Sequence, residues 1–176
     1  MLRYKKNRWI ARTDGAILVE LTRGKVAIVD PEDWDEIKKY KWCAAVNDRS
    51  GDSAISNTGG RRVYMHRVIM GATKGQIVDH IDHDTLDNRR ANLRICTPGQ
   101  SARNRQKNKT KNKRPTTSIY KGVVQKGNKW VAQCMCQGTI HYLGSYDNED
   151  NAARAYNDVA RKYHGEFAYL NETIEE

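Results

Sequence analysis

Short apolar runs separated by turn residues dominate the chain, and their spacing predicts an α+β protein with many brief strands and few helices. Residues 16–21 and 25–29 are rich in β-branched side chains and flank Thr22-Arg23-Gly24, which predicts a hairpin. Asp30 precedes Pro31, Glu32 and Asp33 as a helix-start signature, with Trp34 and Ile37 on one face. Strands are predicted over 42–46, 53–56 and 62–65, separated by loop-type clusters at 47–52 and 57–60. Val68, Ile69 and Met70 suggest a short buried helix that Gly71 ends. Residues 77–81 and 93–96 form another strand pair around the polar segment 82–92. Thr97 then caps a helix with Pro98 at its first position, carrying Gln100, Ser101 and Asn104. Three more strands are expected at 120–125, 129–136 and 139–146. Asp147 is expected to cap the helix that follows, whose stripe is Ala152, Tyr156, Val159, Ala160 and Tyr163, with Gly165 as its stop.

Charge changes this picture more than composition does. The 176 residues carry 31 Lys and Arg against 21 Asp and Glu, a net charge of +10. Between Asp87 and Asp147, 59 consecutive residues contain no carboxylate and 13 basic residues, leaving 18 basic against 21 acidic elsewhere. Folding gives no reason to exclude one sign over such a length, because mixed charge costs less. A polyanion does, since every neutralised phosphate releases condensed counterions. Nucleic acid is therefore the expected partner. Residues 107–118 have four Lys and one Arg but no large apolar side chain, which predicts a flexible basic linker. No apolar run approaches a membrane span and the N-terminus has no signal-peptide core, so a cytoplasmic protein without a membrane partner is expected. Cys43, Cys96, Cys134 and Cys136 lack the C-x-x-C spacing of a zinc site, so reduced thiols and no structural zinc are expected.

Asp79, Asp82, Asp84 and Asp87 crowd four carboxylates beside His80 and His83. Like charges this close repel unless a cation sits among them, and a hard divalent ion takes oxygen ligands. On a strand, Asp79 and His80 point to opposite faces. Val78-Asp79-His80-Ile81-Asp82 and Asp87-Asn88-Arg89-Arg90-Ala91-Asn92-Leu93-Arg94 resemble the HNH endonuclease signature of the phage and intron homing branch, and His66-Arg67 matches a pair that precedes its core. The resemblance covers roughly residues 29–105. It implies a ββα-metal core over 77–106, His80 as general base, Asp79 as metal ligand and Asn92 as the side chain that holds the loop so that His80 faces the phosphate. Where the family usually places a second metal-binding Asn, this chain has Ser101. Asn104, on the same helix face, is the expected ligand, with Ser101 or Gln100 as alternatives. The expected ion is Mg²⁺, or Mn²⁺. A positioned His contributes roughly 10²- to 10⁴-fold to hydrolysis, and a bound cation stabilises the developing oxyanion charge.

Tyr120-Lys121-Gly122-Val123-Val124, Lys129-Trp130-Val131-Ala132, Tyr142-Leu143-Gly144-Ser145-Tyr146, Ala152-Ala153-Arg154-Ala155-Tyr156 and the closing 165–171 segment resemble the ethylene-response-factor (Apetala) DNA-binding domain. That resemblance implies a three-stranded sheet laid in the major groove with a helix behind it. By strand alternation Val124, Lys126, Gln133, Met135, Ile140 and Tyr142 would face DNA, where the family typically has several arginines. Lys121, Lys126 and Lys129 would touch phosphate, and Trp130 would either stack at the groove edge or pack the sheet. Arg103, Arg105, Lys107, Lys109, Lys111, Lys113 and Arg114 would track the backbone. The expected organisation is an N-terminal β-rich region and nuclease core over 1–106, a linker over 107–117 and a DNA-binding domain over 118–171. The expected function is a monomeric, metal-dependent homing endonuclease on double-stranded DNA. The alternative is a non-catalytic DNA-binding protein with a degenerate core.

Overall fold

The computed structural model describes residues 7–46, 51–107, 110–111 and 114–174; the expected contacts Lys109 and Lys113 lie outside the described residues. The chain divides into two compact units, Met1–Thr97 and Pro98–Glu176, each with its own core. Mixed strands and helices make both of them.

In the first unit β1 (Trp9–Ala11), β2 (Ile17–Glu20) and β3 (Val26–Val29) form an antiparallel sheet in that order. The strand at 9–11 has no expected counterpart. Pro31–Asp33 is a 3₁₀ turn that runs into α1 (Trp34–Ile37). Asp30 sits at the helix start without capping it; its Oδ2 accepts the Arg90 amide at 2.7 Å instead. A second antiparallel sheet follows, β4 (Cys43–Ala45), β5 (Ser53–Thr58) and β6 (Arg61–Tyr64). Met65, expected to end a strand, instead begins α2 (Met65–Ile69), where its side chain is fully buried. β7 (Ile77–His80) and β8 (Leu93–Cys96) close the unit as an antiparallel pair with Asp79 opposite Arg94 and His80 opposite Leu93. Val19, Val29, Ile37, Trp42 and Met65 make the centre of one core, which Val78 and Leu93 join. Those two residues anchor β7 and β8 to the rest of the unit.

The second unit opens with α3 (Pro98–Asn104). The segment expected to be a linker contains a small antiparallel ladder, β9 (Thr110–Lys111) with β10 (Arg114–Pro115). β11 (Val123–Lys126), β12 (Lys129–Cys136) and β13 (Thr139–Tyr146) form the antiparallel sheet, with a register shift at Ala132/Gln133. α4 (Glu149–His164) packs across one face. Its cap is Asn148, whose side chain accepts the Asp150 amide, while the expected cap Asp147 pairs with Lys129. Ala152, Tyr156 and Ala160 are buried as expected, but Tyr163 is 48% exposed and Ala153, Asn157 and His164 are buried in its stead. Gly122 has φ +77, and a Cβ there would fall 2.1 Å from the Tyr156 ring and 2.6 Å from the Gln133 carbonyl. Asn157 and Asn171 exchange side-chain and backbone bonds at 2.8 and 2.9 Å, pinning the C-terminal segment to the helix.

The expected nuclease core, 77–106, crosses the division between the units, because α3 clusters with the second. Lys121 explains much of that: its ammonium donates to the carbonyls of Arg103 at 2.5 Å and Arg105 at 2.7 Å.

Candidate active site

The hairpin register fixes the site. Alternation on β7 turns the His80 side chain inward, leaving it 8% exposed, and sets Asp79 on the other side. His80 meets His66 of α2 edge to face, with ring centroids 5.1 Å apart. Burial pushes the His80 imidazole below the ordinary histidine value, opposed by the Asn88 side chain and by the carboxylates of Asp79, Asp82 and Asp84. His66 goes further, to about 4, through burial, the neighbouring His80 and Arg67. Both rings are therefore neutral near pH 7, and a neutral imidazole can accept a proton.

Asp79 faces Arg94 across the hairpin. Nε and Nη2 of the guanidinium donate to Asp79 Oδ2 at 3.1 and 2.9 Å, and both side chains are nearly buried. Arg94 was not singled out as a partner of Asp79 from the sequence, although a carboxylate and a guanidinium facing each other on two paired strands is a pattern of cross-strand pairing.

The other three carboxylates have a different task from the one their crowding suggests. Asp82 Oδ1 accepts the Asp84 amide at 2.8 Å and Asp84 Oδ1 accepts the Leu86 amide at 3.0 Å, so both fold the loop locally. Asp87, 4% exposed, accepts the amide and the guanidinium of Arg89. The loop is docked on β3 by Ile28, whose amide donates to Leu86 O at 2.9 Å and whose carbonyl accepts from Asn88 N at 2.8 Å. Asn92 is the central latch: its Oδ1 accepts the Asp82 amide at 3.0 Å and its Nδ2 donates to Asp87 O at 2.9 Å. Asn92 is buried, as is Asn88, which the sequence reading did not single out. Arg90 adds a tie to Asp33 at 2.6 Å and to the end of α2 through Ile69 O at 3.0 Å.

Of the expected second metal ligands, Gln100 and Ser101 are half-buried and Asn104 is buried, all on α3 in the second unit. In that unit strand register sets the expected DNA-facing side chains on one face of the sheet, Val124 opposite Val131 and Lys126 opposite Lys129. Gln133 pairs with Tyr142, and Met135 with Ile140, on the face away from α4; Met135 and Ile140 are each 59% exposed. Val124 is half-buried and Lys126 exposed. Trp130 packs with Tyr146 against the α4 side, the second of its two expected positions. Lys107 and Lys121 direct their ammonium groups to backbone carbonyls, Lys107 to Tyr120 O and Val123 O at 2.7 and 2.6 Å. Burial pulls the Lys121 ammonium down to about 8. Lys129 pairs with Asp147. Arg105 is exposed and Arg103 half-buried.

One hairpin thus carries a buried histidine, a charge-paired carboxylate and a loop latched by an asparagine. The profile of the family described as HNH endonuclease matches residues 63–103, which span α2, the hairpin and most of α3. A protein of Acanthamoeba polyphaga mimivirus described as an uncharacterized HNH endonuclease is 33% identical over 156 residues, covering 85% of this chain and 76% of that one. The chain belongs to the HNH endonuclease family and is a nuclease. An AP2-like ethylene-responsive transcription factor of Arabidopsis thaliana is 40% identical over 67 residues, 31% of this chain and 14% of that protein. No solved structure matches the chain. Among the described residues no helix is long and apolar enough to cross a membrane.

Proposed function

We propose that this nuclease is a metal-dependent endonuclease of the homing type that hydrolyses phosphodiester bonds in double-stranded DNA, with His80 as general base. The observation that carries this reading is the buried His80 ring, which burial keeps neutral beside Asp79. A neutral imidazole accepts the proton of the attacking water as the oxygen–phosphorus bond forms, for which about 10²- to 10⁴-fold in rate is typical. Asn92 positions the ring indirectly: it holds the loop after β7 by bonds to Asp82 and Asp87 and so fixes the path of the chain beyond His80. His66 supports the ring from its edge.

The Asp79 carboxylate suits a hard divalent cation, which takes oxygen ligands. Mg²⁺ or Mn²⁺ held there would neutralise charge that develops on the phosphate oxygens. Arg94, already bonded to Asp79, holds that carboxylate in its orientation.

The second unit is the DNA-binding module in this reading. The face bearing Val124, Gln133, Met135, Ile140 and Tyr142 would lie against the bases, and Arg103, Arg105, Lys111, Arg114, Lys126 and Lys129 would serve phosphate. Support comes from the 59-residue stretch without a carboxylate and from the exposed Met135, Ile140 and Tyr142 on one sheet face.

Incubating supercoiled plasmid with the full chain and Mg²⁺ or Mn²⁺ tests the reading. Nicked or linear product is expected with metal and none in excess chelator. Cutting by His80→Ala at the wild-type rate would remove His80 from the base role, and a wild-type chain inert with both metals would end the proposal.

A further inference from the structure

The second unit gathers three metal-ligating side chains that the nuclease reading does not use. Cys134 and Cys136 stand two residues apart on β12, so alternation points both at α4, and His164 at the last position of that helix comes down on them. All three are buried, and their ligand atoms lie within 4.8 Å of one another. Cys136 Sγ is 3.5 Å from Cys134 Sγ, and Cys134 Sγ is 3.8 Å from His164 Nε2. A tetrahedral zinc with Zn–S of about 2.3 Å and Zn–N of about 2.0 Å needs donor atoms roughly 3.5–3.8 Å apart, so the two measured edges already have the required length. The Met135 carbonyl oxygen, 2.9 Å from His164 Nε2 and 4.0 Å from Cys134 Sγ, accepts the imidazole proton and would become the fourth donor once an ion takes that proton's place.

The surroundings also point to a ligand. The Tyr156 hydroxyl is a buried polar atom with no hydrogen-bond partner, on a residue only 2% exposed. Polar atoms in a protein interior are normally satisfied. Here the hydroxyl belongs to the same buried cluster as the two thiols.

We propose that Cys134, Cys136 and His164, with the Met135 carbonyl oxygen as fourth donor, bind one Zn²⁺ that clamps the C-terminal end of α4 to β12. On binding, the two thiol protons leave to solvent and two Zn–S bonds form. The imidazole proton moves from Nε2 to Nδ1, which frees Nε2 for the metal. Two thiolates cancel the charge of the dication, so the filled site is neutral and suits a buried position. Burial pushes the Cys134 thiol up to about 12, so it enters the site protonated. Two sulfurs and one imidazole select a borderline-soft ion over Mg²⁺, which keeps this site chemically apart from the one proposed at Asp79. The clamp would also steady Met135, whose side chain projects from the opposite sheet face between the two cysteines. The C-x-x-C spacing rule misses such a site, because on a strand it is i and i+2 that share a face.

The test uses the full chain purified under reducing conditions without chelator. Elemental analysis is expected to find about one zinc per chain, retained in Asp79→Ala and lost in Cys136→Ser and His164→Ala. Cobalt titrated into the zinc-free wild-type chain is expected to give thiolate-to-metal charge-transfer absorption, absent with Cys134→Ser. Because a cysteine variant can fail to fold, the wild-type protein supplies a second readout: chelator should lower its Tm, with recovery on adding Zn²⁺ and not Mg²⁺. A wild-type chain that holds no zinc and gives no thiolate–cobalt band would overturn the site, as would a band of full strength in Cys136→Ser.

Discussion

At the scale of single residues, the proposed base role of His80 and the lowered pKa of His66 each make a prediction. His80→Ala is expected to lower the single-turnover cleavage rate about 10²- to 10⁴-fold while leaving DNA affinity, read by a gel-shift titration, within a few-fold of wild type. His66 makes a separate prediction about stability. Its folded pKa is about 4, below the usual 6.5, so the unfolded chain binds more protons between those values. The stability this neutral ring contributes is present above pH 6.5 and is lost as the pH falls towards 4, amounting to at most about 3 kcal/mol. His80, shifted in the same direction, adds to the slope. Urea unfolding of the first unit at pH 7 and pH 5 measures it, and His66→Gln should flatten the difference. Asn92→Ala removes an amide with three backbone partners, the Asp82 amide and the carbonyls of Asp87 and Asp84, and should cost about 1–3 kcal/mol with a fall in cleavage. His80, Asp79 and Asn92 stand out in the sequence because their spacing matches a known signature. Arg94 and Asn88 do not, since nothing local marks a side chain whose importance comes from what lies across a hairpin.

At the scale of elements, alternation and punctuation predicted most strands of both units. β2, β3, β7, β8, β12 and β13 fall where short apolar runs between turn residues put them. Helix starts were less legible, because several polar residues compete for one cap. Asn148 takes the cap of α4 while Asp147 is drawn to Lys129, so Asn148→Ala should cost about 1 kcal/mol and Asp147→Ala far less, compared by thermal unfolding. Gly122 is the sharper case. Gly122→Ala places a methyl against the Tyr156 ring and the Gln133 carbonyl at a positive φ, and should destabilise the second unit by more than about 2 kcal/mol. A Tm for Gly122→Ala equal to wild type would mean that the sheet and α4 yield there more easily than their packing indicates. The acidic loop shows why composition misleads at this scale: four carboxylates in sequence resemble a cation cage, yet three of them accept amides or pair with Arg89 to shape the turn.

At the scale of the whole molecule, the proposed reading makes DNA binding through the basic stretch an electrostatic event. Lys126→Gln and Arg105→Gln should each weaken binding to unrelated duplexes alike and reduce the slope of log K against log salt by about 1. Lys107→Gln and Lys121→Gln should instead lower the Tm of the second unit, because those ammonium groups hold carbonyls of the chain itself. The sequence alone determined most of the strand and helix inventory, the charge asymmetry and the motif around His80, since each depends on neighbours within a few positions. Only tertiary structure decided which residues meet: Arg94 with Asp79, His66 with His80, α3 with the second unit, and Cys134 and Cys136 with His164. Those meetings join residues up to tens of positions apart, and chain spacing does not encode them until packing and strand register fix the distances.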